Sequence, residues 1–193
     1  MKVAIIKYNA GNVRSVMFAL ERMGVTPILT DVVSEIKSAD KVIFPGVGEA
    51  SSAMKYLNER NLDKLIISLK QPVLGICLGM QLMCKKSEEW NTDCLGIFAG
   101  NVKLFGGGMK VPQVGWNTIT DFKSMLFSDI RPDSYMYFVH SYYVEKGEYS
   151  IATTNYIVDF SSAIQKDNFY AVQFHPEKSS EMGQKILDNF LSL

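Results

Sequence analysis

The chain has 193 residues, 47% hydrophobic and 21% charged, and its twenty basic and twenty acidic side chains leave no net charge. That length predicts a single domain, 1–193, with a sizeable core. The sequence has no basic run, which argues against a nucleic-acid or anionic membrane surface, and its longest apolar run, 73–84, is too short to span a bilayer. Three cysteines without CxxC spacing favour a reducing cytoplasm over a disulfide framework or a structural zinc site.

The N-terminal half alternates between strand and helix patterns. Short, apolar, largely β-branched runs predict buried strands, at 2–6, 26–30, 41–44 and 73–76. Helical spacing of apolar residues predicts helices, at 13–23, 50–59 and 62–69. Asn12 in a turn at 9–12 is the expected N-cap of the first helix, Gly24 is its expected end, and 36–39 leads into the third strand. Strand, helix and strand with short connections are typical of a parallel α/β sheet.

The pattern changes after about residue 87. Short alternating segments predict a mostly antiparallel subsheet packed on the main sheet, at 101–105, 115–120, 135–139, 150–154 and 161–165. A last strand is predicted at 169–174, and a closing amphipathic helix at 182–191. The predicted fold is therefore an open, mostly parallel, twisted α/β sheet flanked by helices, with a small antiparallel subsheet.

The stretch 72–83 carries the strongest chemical signal. A buried-strand run is followed at once by Cys77 and then by apolar residues at helical spacing, and glycines at 75 and 79 bracket the cysteine. This predicts a strand–turn–helix elbow of the Gly-x-Cys-x-Gly type, in which side chains at the two glycine positions would obstruct the turn. The helix start would favour a thiolate, and the backbone N–H of Leu78 would point towards an oxyanion. Most cysteines are simply buried, but the bracketing glycines favour a nucleophile.

Two histidines, His140 and His175, are candidates for the base that such a nucleophile needs, since imidazole exchanges protons near neutral pH. His175 follows the last predicted strand, and Glu177 comes two residues later, beyond a proline. A carboxylate there can hold the imidazole in one tautomer, as the third member of a triad. His140 also ends an apolar strand but has no carboxylate nearer than Glu145, so we expect it to be a partly buried histidine bonded to backbone.

These motifs resemble a known family. Gly75-Ile-Cys-Leu-Gly-Met-Gln81 together with His175-Pro-Glu177 resembles the class I (triad-type) glutamine amidotransferases, whose fold is flavodoxin-like, and Pro45-Gly-Val-Gly48 is similar to their oxyanion strand. Further stretches resemble the glutaminase subunits of imidazole glycerol phosphate synthases, from histidine biosynthesis: 8–15, 111–117, 137–142 and 173–179. The resemblance covers nearly the whole chain, with the motifs in the expected order.

The resemblance implies a role for each matched residue. Cys77 would be the nucleophile, His175 the general base and then acid, and Glu177 the orienting carboxylate. The other matched residues would be the backbone oxyanion donors Val47 and Leu78, the substrate contacts Gly46, Gly48, Gln81, Ser141 and Tyr142, and the partner contacts Asn12, Trp116, Tyr137 and Lys178. We expect Trp116 and Lys178 to be surface anchors rather than a core tryptophan and a solvated charge.

The implied reaction is hydrolysis of glutamine to glutamate and ammonia through a thioester. The ammonia would pass through a cyclase subunit of (β/α)8 barrel fold, in a heterodimer, to a phosphoribulosyl formimino ribonucleotide, giving imidazole glycerol phosphate and an aminoimidazole carboxamide ribotide. The resemblance implies no cofactor and no metal. A flip of the peptide at Val47 is the expected switch of activity, because the two flanking glycines make it sterically easy.

Two other functions stay open from the sequence alone. A glutaminase of another amidotransferase, such as anthranilate synthase, would be expected to have His in place of Met80 and to lack Gly115-Trp-Asn117. A non-catalytic regulatory subunit would not be expected to keep the triad residues. The chain departs from the family pattern at Lys7 (often Asp), Asn9 (often Gly) and Gln113 (often His), and its segment 105–110 looks short.

Overall fold

The computed structural model describes residues 1–9 and 11–193. Its strands are β1 (Val3–Ile6), β2 (Ile28–Thr30), β3 (Lys41–Phe44), β4 (Val73–Ile76), β5 (Lys86–Ser87), β6 (Thr92–Asp93), β7 (Asn101–Leu104), β8 (Gln113–Ile119), β9 (Ser134–His140), β10 (Tyr142–Glu145), β11 (Ser150–Tyr156), β12 (Val158–Lys166) and β13 (Phe169–Val172). Its helices are α1 (Val13–Arg22), α2 (Val33–Ser38), α3 (Ala50–Glu59), α4 (Leu62–Ser68), α5 (Leu78–Met83) and α6 (Ser180–Ser192), with 3₁₀ turns at Glu89–Asn91, Met125–Phe127 and Pro176–Lys178.

One large mixed sheet runs through the molecule in the order β2-β1-β3-β4-β13-β12-β10-β7-β5-β6, with β11 paired to β12. The half from β2 to β13 is parallel, and β12, β10 and β7 continue it in antiparallel fashion. Strands β8 and β9 form a separate antiparallel pair. The predicted fold class is confirmed, since a sheet with helices on both faces carries a small antiparallel subsheet.

Alternating side chains of the parallel strands fill two cores, one on each face of the sheet. On β1, Ala4 and Ile6 face the core covered by α2, α3 and α4, whereas Val3 and Ile5 face the core covered by α1, α6 and the β8–β9 pair. All four of these side chains are buried. This burial on both faces explains why the strand reads as a continuous apolar run.

Several details differ from the sequence predictions. Segment 33–38 is the helix α2, where only a lead-in to β3 was expected. Of the segments predicted as a subsheet, only those at β8 and β9 form one. The others extend the main sheet, because β7 and β12 both pair with β10 and β11 pairs with β12. The turn predicted at 9–12 includes Ala10, which lies outside the described residues.

Asn12 occupies the N-cap position of α1, as predicted, but its side chain does not cap the helix. Its backbone has a φ of 67° and its side chain makes no capping bond to α1, because the side chain is bonded elsewhere, as described below. No helix in the described part of the chain is both long and apolar enough to cross a bilayer.

Candidate active site

The elbow predicted around Cys77 is present. Cys77 follows β4 and precedes α5, and its φ of 54° and ψ of −107° are unusual for a residue with a side chain. The glycines make this turn possible: a Cβ at Gly79 would lie 1.8 Å from the carbonyl oxygen of Phe44, and one at Gly75 would lie 3.0 Å from Met83 Sδ. A backbone held in such a region costs roughly 1–3 kcal/mol and is typical of functional sites.

Sheet pairing brings the candidate base to the thiol. Strands β4 and β13 are parallel neighbours, and the N–H of Cys77 donates to the carbonyl of Val172 at 2.8 Å. The chain then continues from Val172 to His175, whose own N–H donates to the carbonyl of Tyr137 at 2.8 Å. Both strand ends therefore meet at the carboxyl edge of the sheet, where open α/β folds bind their ligands.

His175 and Glu177 form a buried pair. The imidazole Nδ1 lies 2.8 Å from Glu177 Oε1, and the two side chains are 2% and 0% exposed. Burial alone would lower the pKa of His175, but hydrogen bonding to Cys77 and to Glu177, together with their negative charges, raises it to about 10. The arrangement favours a protonated imidazole beside the sulfur of Cys77.

Asn12 adds a second donor to this pair. Its Nδ2 donates to Glu177 Oε1 at 2.5 Å and lies 3.5 Å from His175 Nδ1. The other oxygen, Glu177 Oε2, is buried and has no partner among the described residues. Asn12 thus contacts the His175–Glu177 pair directly, whereas the resemblance implies only a partner contact for it.

His140, the rival base, is bonded to other groups. Its Nδ1 lies 2.8 Å from the carbonyl oxygen of Tyr142, and its Nε2 lies 3.0 Å from Gln113 Oε1. It is 5% exposed, and burial lowers its pKa to about 4. The expectation of a buried histidine bonded to backbone is confirmed. Gln113, one of the departures from the family pattern, is the side chain that contacts it.

In the segment 45–48, the peptide between Gly46 and Val47 is not oriented to stabilise an oxyanion. The carbonyl of Gly46 accepts the N–H of Leu78 at 3.1 Å. Because this carbonyl and the N–H of Val47 belong to one peptide plane and point in opposite directions, the N–H of Val47 faces away from the cysteine. The two backbone donors that the resemblance implies do not converge in this arrangement. Tyr8 Oη donates to the carbonyl of Pro45 at 2.7 Å and fixes the start of the segment.

A cavity of about 280 Å³ opens beside the thiol. It is lined by Val47, Gly48, Cys77, Leu78, Gln81, Glu89, Pro112, Val139, His140, Ser141 and Tyr142. Of the substrate contacts implied by the resemblance, all line this cavity except Gly46, whose carbonyl points to Leu78 instead.

Glu89 is a cavity residue that sequence reasoning missed. Its Oε2 accepts the N–H of Ala50 at 2.7 Å. Burial raises the pKa of the Glu89 carboxyl, and the charge of Glu49 raises it further, although the bond from Ala50 acts in the opposite direction. It lies in a short 3₁₀ turn without strand or helix periodicity. No local pattern could connect it with Cys77, because only the packing of that turn against α3 brings it to the cavity.

The residues implied as partner contacts cluster beside the site. Trp116 on β8 is 52% exposed and packs edge-on against Tyr137 of β9, with ring centroids 5.9 Å apart. Lys178 Nζ lies 5.9 Å from the centre of the Tyr137 ring. Trp116 is therefore a surface residue and not part of the core. The cluster is coupled to the site because the carbonyl of Tyr137 accepts the N–H of His175.

Comparison with known proteins identifies the family. Residues 5–193 match the family Glutamine amidotransferase class-I. The imidazole glycerol phosphate synthase subunit HisH of Bacteroides fragilis is 59% identical over 196 residues, covering 100% of both chains. The chain belongs to the HisH family of class I glutamine amidotransferases. A HisH subunit of Haemophilus influenzae is 48% identical to this HisH-family chain, over 99% of the chain and 97% of the relative.

Solved structures support the fold independently. A glutamine amidotransferase superposes on the HisH-family chain with a TM-score of 0.78 at 18% identity, covering 98% and 97% of the two chains. PurLQS from Thermotoga maritima superposes with a TM-score of 0.69 at 15% identity, covering 99% and 97%. At these identities the likeness shows a shared fold. The high-identity relatives are HisH subunits, so the alternative of an anthranilate synthase glutaminase is not supported.

Proposed function

We propose that this chain is the glutaminase subunit of an imidazole glycerol phosphate synthase, hydrolysing glutamine at Cys77 and passing the ammonia to a partner subunit. The observation that carries the proposal is the buried His175–Glu177 pair, 2.8 Å across, just beyond the end of the strand that pairs with the one leading into the cysteine elbow. It occurs in a chain 59% identical over its full length to a HisH subunit. We propose Cys77, His175 and Glu177 as the catalytic triad.

The proposed chemistry begins with an ion pair. His175 holds the proton of the thiol, and Glu177 Oε1 accepts the Nδ1 proton, which leaves Nε2 directed to the substrate. The thiolate attacks the carboxamide carbon, and His175 then protonates the departing nitrogen as ammonia is released. Water activated by the same imidazole hydrolyses the thioester to glutamate. Asn12 keeps Glu177 in place by donating to the same oxygen.

Glutamine would bind in the cavity of about 280 Å³. The Glu89 carboxylate is partly buried and its pKa is raised by desolvation, so an ammonium group beside it would be stabilised and would offset that cost. We assign Glu89 to the α-ammonium of glutamine. Gln81, Gly48 and the backbone at Ser141 and Tyr142 would hold the rest of the substrate, with Gly46 contributing after its peptide has turned.

The partner would dock on the exposed cluster of Trp116, Tyr137 and Lys178, with Asn12 beneath it. We propose that this partner is a cyclase subunit of (β/α)8 barrel fold that carries the ammonia to its acceptor. An aromatic pair with a cation above it is typical of an interface anchor. The three free thiols accord with a reducing cytoplasm as the place of action.

An alkylating glutamine analogue tests the nucleophile and the substrate together. We expect stoichiometric labelling of Cys77 that excess glutamine prevents. Cys84 and Cys94 should stay unlabelled, because burial raises the pKa of the first thiol far above neutrality and that of the second to about 12. Labelling at either of these by peptide mapping would contradict the assignment. Absence of glutamine turnover in a folded complex with the cyclase would favour a non-catalytic regulatory subunit.

A further inference from the structure

An amide side chain that the proposed mechanism does not use lies against the sulfur of Cys77. Gln173 follows β13 directly and is fully buried, and its Nε2 is 3.6 Å from Cys77 Sγ. We propose that Gln173 is a further catalytic residue, whose amide N–H stabilises the Cys77 thiolate. The proposal rests on the proposed function, in which this thiolate is the nucleophile.

A chain of hydrogen bonds fixes which end of the Gln173 amide faces the sulfur. The backbone carbonyl of Tyr142 can only accept, so the group of Gln81 that lies 3.0 Å from it must be its NH2. The same NH2 lies 3.0 Å from the side-chain oxygen of Gln173. Rotating the Gln173 amide by a half-turn would put two NH2 groups face to face and its oxygen against the sulfur. The bonded arrangement therefore turns the NH2 of Gln173 towards Cys77.

The two protonation states of the sulfur use different neighbours. The thiol can donate its proton to the carbonyl oxygen of Val139, 3.7 Å away. The thiolate has no proton to donate and gains instead from the Gln173 N–H, a bond that strengthens when the acceptor is charged. Cys77 is only 5% exposed, so water supplies little of this stabilisation. Gln173 consequently favours the thiolate over the thiol.

Other titratable groups face the same sulfur and act on its protonation. His175 pairs with it, and Glu89 and His140 line the cavity beside it. Burial raises the pKa of the Tyr8 phenol, and the charge of Cys77 acts in the same direction. None of these four groups is itself changed by a substitution at Gln173. A comparison of variant with unchanged chain therefore isolates the contribution of the amide.

The pH dependence of Cys77 alkylation by iodoacetamide measures the thiolate directly, because the thiolate displaces iodide and the thiol does not. In Gln173→Met, which keeps the length of the side chain but removes the donor, we expect the midpoint of the profile to rise by about one pH unit. Below that midpoint the rate should fall about tenfold, as expected for loss of a hydrogen bond to a charged group. Peptide mapping assigns the label to Cys77.

Two further variants sharpen the test. Gln173→Leu also removes the donor and adds no charge, so its midpoint should rise as well; it also serves if the methionine variant does not fold. Ser162→Ala is the matched control. Ser162 is buried on the neighbouring strand β12 and its carbonyl accepts the N–H of Gln173, but its hydroxyl has no hydrogen-bond partner among the described residues. Its midpoint should not move.

An unchanged midpoint in a folded Gln173→Met or Gln173→Leu chain would overturn the inference. So would an equal shift in Ser162→Ala, because that would indicate general loosening of the strand. Alkylation by iodoacetamide does not require glutamine binding. A chain that shows the shift but never hydrolyses glutamine, even with its cyclase, would overturn the proposed function and leave the role of Gln173 intact.

Discussion

The orientation of the Gly46–Val47 peptide predicts that the isolated chain is a poor glutaminase. In the structure the Gly46 carbonyl accepts the N–H of Leu78, so one oxyanion donor is occupied and the other, Val47, faces away. A single oxyanion donor is typically worth roughly 3–4 kcal/mol, or about 10²–10³ in rate. Breaking the bond between Leu78 and Gly46 costs about 1 kcal/mol, which binding of a partner can readily supply. We therefore expect the cyclase and its bound acceptor analogue to raise glutamine turnover about 10²–10³-fold.

Two assays on the same samples distinguish this switch from assembly of the triad. The His175–Glu177 pair is already formed at 2.8 Å, and alkylation of Cys77 by iodoacetamide forms no oxyanion. Alkylation should therefore be fast in the isolated chain and change little on adding the partner, while glutamine turnover rises steeply. Equal turnover by the chain alone, with the cyclase, and with cyclase plus acceptor analogue would refute the reasoning. A parallel rise in both assays would place the switch in the triad instead.

Further predictions concern single side chains. Cys77→Ala should abolish glutamine hydrolysis, yet its complex with the cyclase should still form product from ammonium salts; residual glutaminase activity would disprove the nucleophile. His175→Asn should reduce kcat more than Glu177→Gln, because it removes proton transfer and not only orientation, and His140→Asn should keep much of the activity; the reverse ranking would make His140 the base. Glu89→Gln should raise KM for glutamine far more than it lowers kcat, and an unaltered KM would remove Glu89 from the substrate site. Because the pKa of His140 is about 4 in the folded chain and about 6.5 when unfolded, the unfolded chain binds the proton first, and the free energy of unfolding should fall by about 3 kcal/mol as the pH drops from about 6.5 to 4. Denaturant titrations at several pH values should show that the free energy of unfolding of His140→Phe lacks this part of the pH dependence. The same dependence on pH in the variant and in the unchanged chain would contradict the prediction.

Local chemistry explains what could be predicted from the sequence. The elbow at Cys77 follows from two glycines and an apolar run within five residues, since only glycine fits where a Cβ would lie 1.8 Å from the Phe44 oxygen. The strand β13, which ends shortly before His175, was predictable because it is a short apolar run. Helix α2 was missed because Ile36 is its one buried residue among six, which leaves no helical periodicity to detect.

Features that depend on distant partners could not be predicted. Glu89 reaches the cavity only through packing against α3. The carbonyl of Gly46 is held by the N–H of Leu78, the first residue of α5, and the helices α3 and α4 separate the two in the chain. Asn12 has the residue type of an N-cap, but its side chain instead donates to Glu177, 165 residues away in sequence. A charged acceptor in a buried site outweighs a capping bond of about 1 kcal/mol.

The central place of β13 in the sheet also sets when the protein can become active during synthesis. This strand inserts between β4 and β12, and it carries Gln173 to a cysteine 96 residues earlier in the chain. Until the ribosome has released this last strand, β4 has an unpaired edge and Cys77 has neither base nor amide beside it. Closing so long a loop is slow, and an unpaired edge can pair with other chains. We therefore expect no glutamine hydrolysis before β13 and His175 have emerged, and a chain truncated before β13 should be both inactive and prone to aggregate.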